Sequence, residues 1–163
     1  MPLALAMGML GCSATSPQEE VDEYVGAVLN NEKRAIDPVA MEDRVLELEN
    51  QHRTALGLKP LEEFPAVYKY AREHNEYMIS KNEMSHDNFE SRAEKVAQES
   101  QADMVAENVA LDFYSAELVL KKWLESSSHR KSLEGKFTHT SLSISLDKTG
   151  KPYFTQLFMH IRP

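Results

Sequence analysis

The sequence predicts an α+β fold in which helices pack on a small antiparallel sheet, and three observations predict it. Apolar residues recur at helical spacing from Met41 to Leu124. Past Gly135 the period changes to two: Leu142, Ile144 and Leu146 alternate with Ser141, Ser143 and Ser145, as in a strand with one buried face. Asp147 to Lys151 then supplies a turn, and Tyr153 to Ile161 returns as a second strand. Helices first and a terminal hairpin last is the α+β order. There is no internal repeat.

The first expected element is a leader. Leu3 to Leu10 is an uncharged apolar run followed by Gly11-Cys12 and then small polar residues. That pattern reads as an export signal over residues 1–12. The single cysteine of the chain, Cys12, stands where a loose bacterial lipobox places the lipidated residue. Without a second cysteine no internal disulfide can form, so the fold stands on its core. Residues 13–36 read as a polar tether and a weakly helical segment, and residues 37–163 as the domain.

Within the domain, Asp37-Pro38 is a helix start, a capping carboxylate followed by proline at the first helical position. Met41, Val45 and Leu48 follow at helical spacing, and Gly57 ends the element. A second helix runs from about Phe64 through Val67, Ala71, His74 and Met78. Ser85 to Val96 is a loop entering a short helix that Asp87 or Asn88 could cap, and Gln98 to Val105 is polar and poorly patterned. Phe113 to Ser126 is the best-defined helix, with Ala116, Val119, Leu120, Trp123 and Leu124 in one stripe. The hairpin completes the chain.

Composition narrows the function. A chain of 163 residues suits one domain, and 42% hydrophobic with 27% charged residues is ordinary for a globular protein. A formal net charge of -8 argues against nucleic acid and against anionic membrane surfaces, which need a basic footprint. No apolar stretch reaches the ~20 residues of a spanning helix, so membrane attachment is expected only through a lipid on Cys12.

Of six histidines, His52 and His74 lie within helical patterns and read as hydrogen-bonded packing residues. His160 reads as surface or strand edge, and His139, opening a strand, stays ambiguous. His86 and His129 stand at helix–loop junctions, where side chains converge in clefts. Glu107 sits between apolar and amide neighbours, and a carboxylate there needs a partner. Two imidazoles and a carboxylate form a reasonable zinc set, or equally a hydrogen-bond network. The run WLESSSHR, Trp123 to Arg130, also raises a nucleophilic Ser126 with His129 as base. No sequence elbow such as GxSxG supports it. Trp123 reads as core, and Arg130 as the partner of a carboxylate on a neighbouring element.

Five segments in order resemble the CAP superfamily, the cysteine-rich secretory, antigen 5 and pathogenesis-related 1 proteins, in its short bacterial SCP-like form. They are ELENQHRTALGLKPL (Glu47 to Leu61), AREHNEYM with MSH (Ala71 to His86), ENVA (Glu107 to Ala110), WLESSSHR with SLEGKFTH (Trp123 to His139), and KPYFTQLF (Lys151 to Phe158). The resemblance implies an α-β-α sandwich with a surface groove. It also implies a groove tetrad of two His and two Glu, which falls on His86, Glu107, His129 and, in place of the second Glu, Ser126. That departure puts general acid–base chemistry of the tetrad type in doubt and leaves a two-histidine site for a divalent metal, zinc first. Ser126 could hold a water or orient His129. Glu125, next door, would point about 100° away on a continuous helix.

Three functions are therefore expected, the first ahead of the other two. The first is an exported, non-enzymatic module binding a lipid or small amphiphile in its groove. The second is a metal-dependent hydrolase or protease with Glu107 as base. The third is a surface interaction or scaffold protein with a cell-envelope or protein partner and a vestigial site.

Overall fold

The computed structural model describes residues 28–163 together with Gln18, Val25 and Gly26. The leader and Cys12 lie outside the described residues. Helix α1 spans Pro38–Ala55. The Asp37 carboxylate accepts from the amides of Val39 and Ala40 at 3.0 and 3.3 Å, satisfying two donors that the first turn leaves open. At the other end Gly57, at φ 75°, lets the Leu58 amide reach Arg53 O at 2.9 Å and close the helix. A two-residue strand β1, Glu62–Glu63, and a 3-10 turn, Pro65–Val67, lead into α2, Tyr68–Lys81. Helix α3 is Phe89–Ser100, and strand β2 is Ala102–Leu111. Helices α4, Ala116–Glu125, and α5, Ser127–Leu133, precede β3, His139–Leu146, and β4, Pro152–Ile161.

The four strands run β1-β3-β4-β2 across the sheet. β4 pairs antiparallel with both β2 and β3, while β1 adds a two-residue parallel pairing to the edge of β3. Period-two alternation sorts the strand residues to two faces. Ala106, Ala110, Leu142, Ile144, Phe154 and Phe158 pack against α1, α4 and α5. Val109, Tyr153, Leu157 and Met159 pack against α2 and α3. The result is the expected α-β-α sandwich. Before α1, Asn31 docks on the β2–α4 loop through Asp112 O and the Tyr114 amide.

Several boundaries differ from expectation for local reasons. Gln98 to Val105 is not an unpatterned stretch: it contains the end of α3 and the start of β2. That half of β2 is exposed at Asp103 and Met104 on the sheet edge, so no apolar alternation marks it. The α4 helix starts at Ala116, after Phe113, because the Ser115 hydroxyl takes the Leu118 amide as its cap. Asn88 stands at the cap of α3 in a left-handed conformation and makes no capping bond with its side chain. The C-terminal end of α4, by contrast, agrees with expectation: it stops within WLESSSHR, at Glu125 with Ser126 as its cap. Ser126 is extended, at φ -91° and ψ 122°, and the chain restarts as α5.

Between α1 and the sheet lies a buried polar pair. Glu49 and Gln156 are fully buried, and Gln156 Nε2 donates to Glu49 Oε2 at 2.6 Å and to Thr140 Oγ1 at 3.0 Å. The other oxygen of each side chain, Glu49 Oε1 and Gln156 Oε1, has no donor. One proton on Glu49 Oε1 supplies the missing donor for a cyclic acid–amide pair. Burial pushes the Glu49 carboxyl up to about 7, against the lowering effects of Gln156 and Arg53. The folded chain then holds a proton that the unfolded chain, titrating near 4.5, has already released. Stability from this group is full below that lower value and is lost as pH rises through the upper one. Thermal melts at pH 5 and pH 8 should therefore separate wild type from Glu49→Gln. The wild type loses up to about 3 kcal/mol relative to the variant over that rise, and parallel pH profiles would refute a neutral Glu49.

Candidate functional site

Glu107 lies near the middle of β2, opposite Leu157, with its side chain on the face covered by α2 and α3. It is 1% exposed, so its charge requires compensation. Arg92 of α3 supplies it as a fork, Nε to Oε2 at 2.7 Å and Nη2 to Oε1 at 2.8 Å. Arg92 also donates to Asp87 O at 3.1 Å, which fixes the loop carrying His86. His86 Nδ1 lies 2.9 Å from Glu107 Oε1. Facing a carboxylate, Nδ1 carries the proton and donates, which leaves Nε2 free on a ring that is 53% exposed.

His74 lies behind this pair. Its side chain is 1% exposed, and its Nε2 donates to Ser85 O at 2.7 Å and lies 3.9 Å from Glu107 Oε1. Burial holds its pKa below the ordinary histidine value, with the Ser85 bond opposing the shift. The ring stacks on Tyr77, whose hydroxyl donates to Asp87 at 2.8 Å. His74 is thus the hydrogen-bonded packing histidine that its helical position predicts.

His129 arrives from the opposite layer. It is on α5, and Asn108, the next residue of β2, donates through Nδ2 to His129 O at 3.1 Å. Trp123 is 2% exposed, donates from Nε1 to Val109 O at 3.1 Å, and places its ring 6.4 Å from that of His129. Burial first, and the charge of His86 second, lower the His129 pKa, so the ring is neutral at pH 7. β2 is an edge strand, opposite β1. The site therefore straddles the open edge of the sheet, with one imidazole from each helical layer.

The other candidates are placed differently. The Ser126 hydroxyl pairs with Ser128 at 3.1 Å rather than with His129. That pairing removes the Ser–His arrangement and the positioning of His129 by this hydroxyl. Glu125 is turned to Lys122 at 2.8 Å. Arg130 is exposed and makes no ion pair among the described residues. His52 faces Glu134 at 2.9 Å, and His160 faces Asp103 at 2.6 Å. His139 Nδ1 bonds the Thr138 hydroxyl at 2.8 Å. Sequence reasoning missed Arg92, since nothing local marks which of the basic residues of α3 crosses to β2.

A family model for the cysteine-rich secretory protein family, CAP, matches residues 46–158. The chain belongs to that family. A curated relative, the uncharacterized protein YkwD of Bacillus subtilis, is 35% identical over 104 residues, which is 61% of this chain and 40% of YkwD. The CAP chain thus spans well under half of that relative. An outer surface protein of Borrelia burgdorferi superposes with a TM-score of 0.69 at 21% identity, covering 79% of this chain and 98% of that one. A Staphylococcus aureus cysteine-rich secretory protein gives 0.67 at 20%, covering 80% and 42%. An extracellular SCP-domain protein of Bacillus anthracis gives 0.64 at 23%, covering 76% and 41%. These likenesses show the shared fold. Among the described residues no helix is long and apolar enough to cross a membrane.

The CAP site fits zinc only in part. Glu107 is consumed by Arg92 and His86, and among the described residues no three His, Cys, Asp or Glu side chains group so as to hold a metal. The Nε2 of His86 and the ring of His129 would be the protein's share of such a site, with Glu107 orienting the first of them. The Arg92–Glu107 pair is a structural commitment as well. Arg92→Ala strands a buried carboxylate and should cost about 3–5 kcal/mol in urea unfolding, whereas Arg92→Met with Glu107→Leu should cost clearly less. Equal losses in the two proteins would show that the charge pair does not organise this face.

Proposed function

We propose that this CAP chain is an exported, non-catalytic binding module that takes a divalent metal, zinc, between His86 and His129 and a small amphiphile as its organic ligand. One observation carries the non-catalytic reading: both oxygens of Glu107 are occupied, one by Arg92 and the other by Arg92 and His86. A general base must meet the proton it takes, and this carboxylate is 1% exposed with three of its roughly four lone-pair sites engaged. Releasing Glu107 would break a buried ion pair, at a cost that catalysis would have to recover. The Glu107–His86 contact is instead the arrangement that fixes a tautomer for metal binding. Bound zinc would polarise an oxygen of whatever ligand completes its coordination.

The metal-dependent hydrolase is the second reading. It is favoured by the partial donor set, since two imidazoles leave positions open for water and substrate. Export is supported by the apolar run before Gly11-Cys12 and by the likeness to an outer surface protein of Borrelia burgdorferi and an extracellular protein of Bacillus anthracis.

Calorimetric titration of the full chain with zinc should give saturable heat that disappears in His86→Ala/His129→Ala. Identical isotherms would refute the metal reading. In a bacterial host fed labelled palmitate, label should enter the wild type and be absent from Cys12→Ala. Persistence of label on the variant would remove the lipid anchor.

A further inference from the structure

The strand that carries Glu107 ends the sheet, and bonds on either side of it fix where its main chain points. Asp112, which follows β2, donates its amide to Pro152 O at 2.9 Å. The even-numbered residues of β2 therefore turn their amides and carbonyls to β4, and those of Val105, Glu107 and Val109 point outward. Leu157, opposite Glu107, agrees: its carbonyl faces β3, where Thr140 Oγ1 donates to it at 2.9 Å. Trp123 Nε1 takes Val109 O at 3.1 Å and closes one end of the outer row. At the other end the register shifts between Ala102 and Met104, a bulge that bends the strand. Between these closures the amides and carbonyls of Val105 and Glu107 meet no partner among the described residues.

Glu107 shows that this gap is open. Its side chain is 1% exposed, yet the residue as a whole is only half-buried, so the part that meets solvent is its main chain. Val105 and Ala106 are half-buried too. An unpaired edge of this kind is a template for a further strand. A chain laid along it would send alternate side chains to opposite faces. Those opposite Val105 and Glu107 would meet α3 and His86, and the one between them α5 and His129.

Charge selects the occupant. Helix α3 packs over β2, and Lys69 neutralises its Glu99. Asp87, Glu90 and Glu94 then stand exposed on that side against Lys95. Helix α5 carries the reverse, Arg130 and Lys131. A second copy of the chain would bring its own net charge of -8 to the same edge, which disfavours self-pairing. We infer that β2 receives a strand from a partner protein, an extended segment with basic side chains toward α3 and uncharged ones toward α5. It bonds to the main chain of Val105 and Glu107, and it requires neither a metal nor an amphiphile.

The acetylated peptide Lys-Thr-Lys-Val-Lys-Thr-Lys, titrated into the full chain and followed by nitrogen-15 NMR, tests this. The amides of Val105 and Glu107 should shift and gain protection from hydrogen exchange. With lysines opposite those residues, the lysine amides point at β2. N-methylation of the lysine amides should therefore weaken binding by about tenfold or more, whereas N-methylation of the threonine and valine amides leaves it unchanged. Glutamate at the lysine positions should weaken it as much. Val105→Pro removes an outward amide and no bond to β4, and should weaken the unmodified peptide; the N-methyl comparison stands whatever that variant does to folding. Equal affinities of the two N-methylated peptides would overturn strand addition, and undiminished binding of the glutamate peptide would overturn the basic partner. Concentration-dependent shifts at Val105 and Glu107 without peptide would give the edge to a second copy instead. No shift with any peptide would overturn the inference and leave the zinc titration as it was.

Discussion

A carboxylate at 1% exposure on a β-strand cannot stand alone, and the arrangement of the site follows from how Glu107 is compensated. Arg92 must reach it from α3. The α3 helix is thereby held against β2, and the same guanidinium pins the Asp87 carbonyl. His86, one residue before, is then delivered to the carboxylate with its Nε2 outward. The ion pair thus sets which atom of His86 faces solvent. It also engages both oxygens of Glu107. A single electrostatic constraint accounts both for the availability of an imidazole and for the engagement of the carboxylate.

The opposite edge of the sheet shows the same physics with the sign reversed. There a buried guanidinium, Arg53, is satisfied by four carbonyls rather than by a carboxylate. Neutral dipoles distributed over two loops hold those loops in one geometry, whereas a single carboxylate would have held only one. The exposed charges around the resulting cavity are Lys59, Lys136 and Arg162 together with Glu62. Between the two edges the sheet core is apolar toward α1, α4 and α5, apart from the Glu49–Gln156 pair. That pair is reconciled with its surroundings when the carboxyl is neutral.

WLESSSHR shows how a break in a helix changes chemistry. On a continuous helix Ser126 and His129 would share a face, and Glu125 would point elsewhere. With Ser126 extended, its hydroxyl turns to Ser128, and His129 begins afresh on α5 against Trp123. The tryptophan, tied to Val109 O, anchors α4 to β2 and so places the second imidazole at the strand edge. The local pattern legibly marked Trp123 as core. It also ended the helix at Ser126, but it carried no signal for the restart as α5, because a run of serines is compatible with a helix, a cap or a turn.

What the sequence determined by itself was everything that depends on near neighbours and periodicity. Asp37 capping α1, Gly57 closing it, the stripe of α4 and the alternation of β3 and β4 all act within a few residues, and those forces are written locally. The ordered motifs from Glu47 to Phe158 likewise marked the family, and with it the positions of His86, Glu107 and His129. Only the tertiary structure decided that Arg92 reaches across to Glu107, that β2 begins in a polar edge stretch, that two histidines from opposite layers share one open edge, and that Arg53 seals the walls of a cavity at the other. Those are contacts between residues far apart in the chain. Their energies come from burial and desolvation, which no local pattern of residue types encodes.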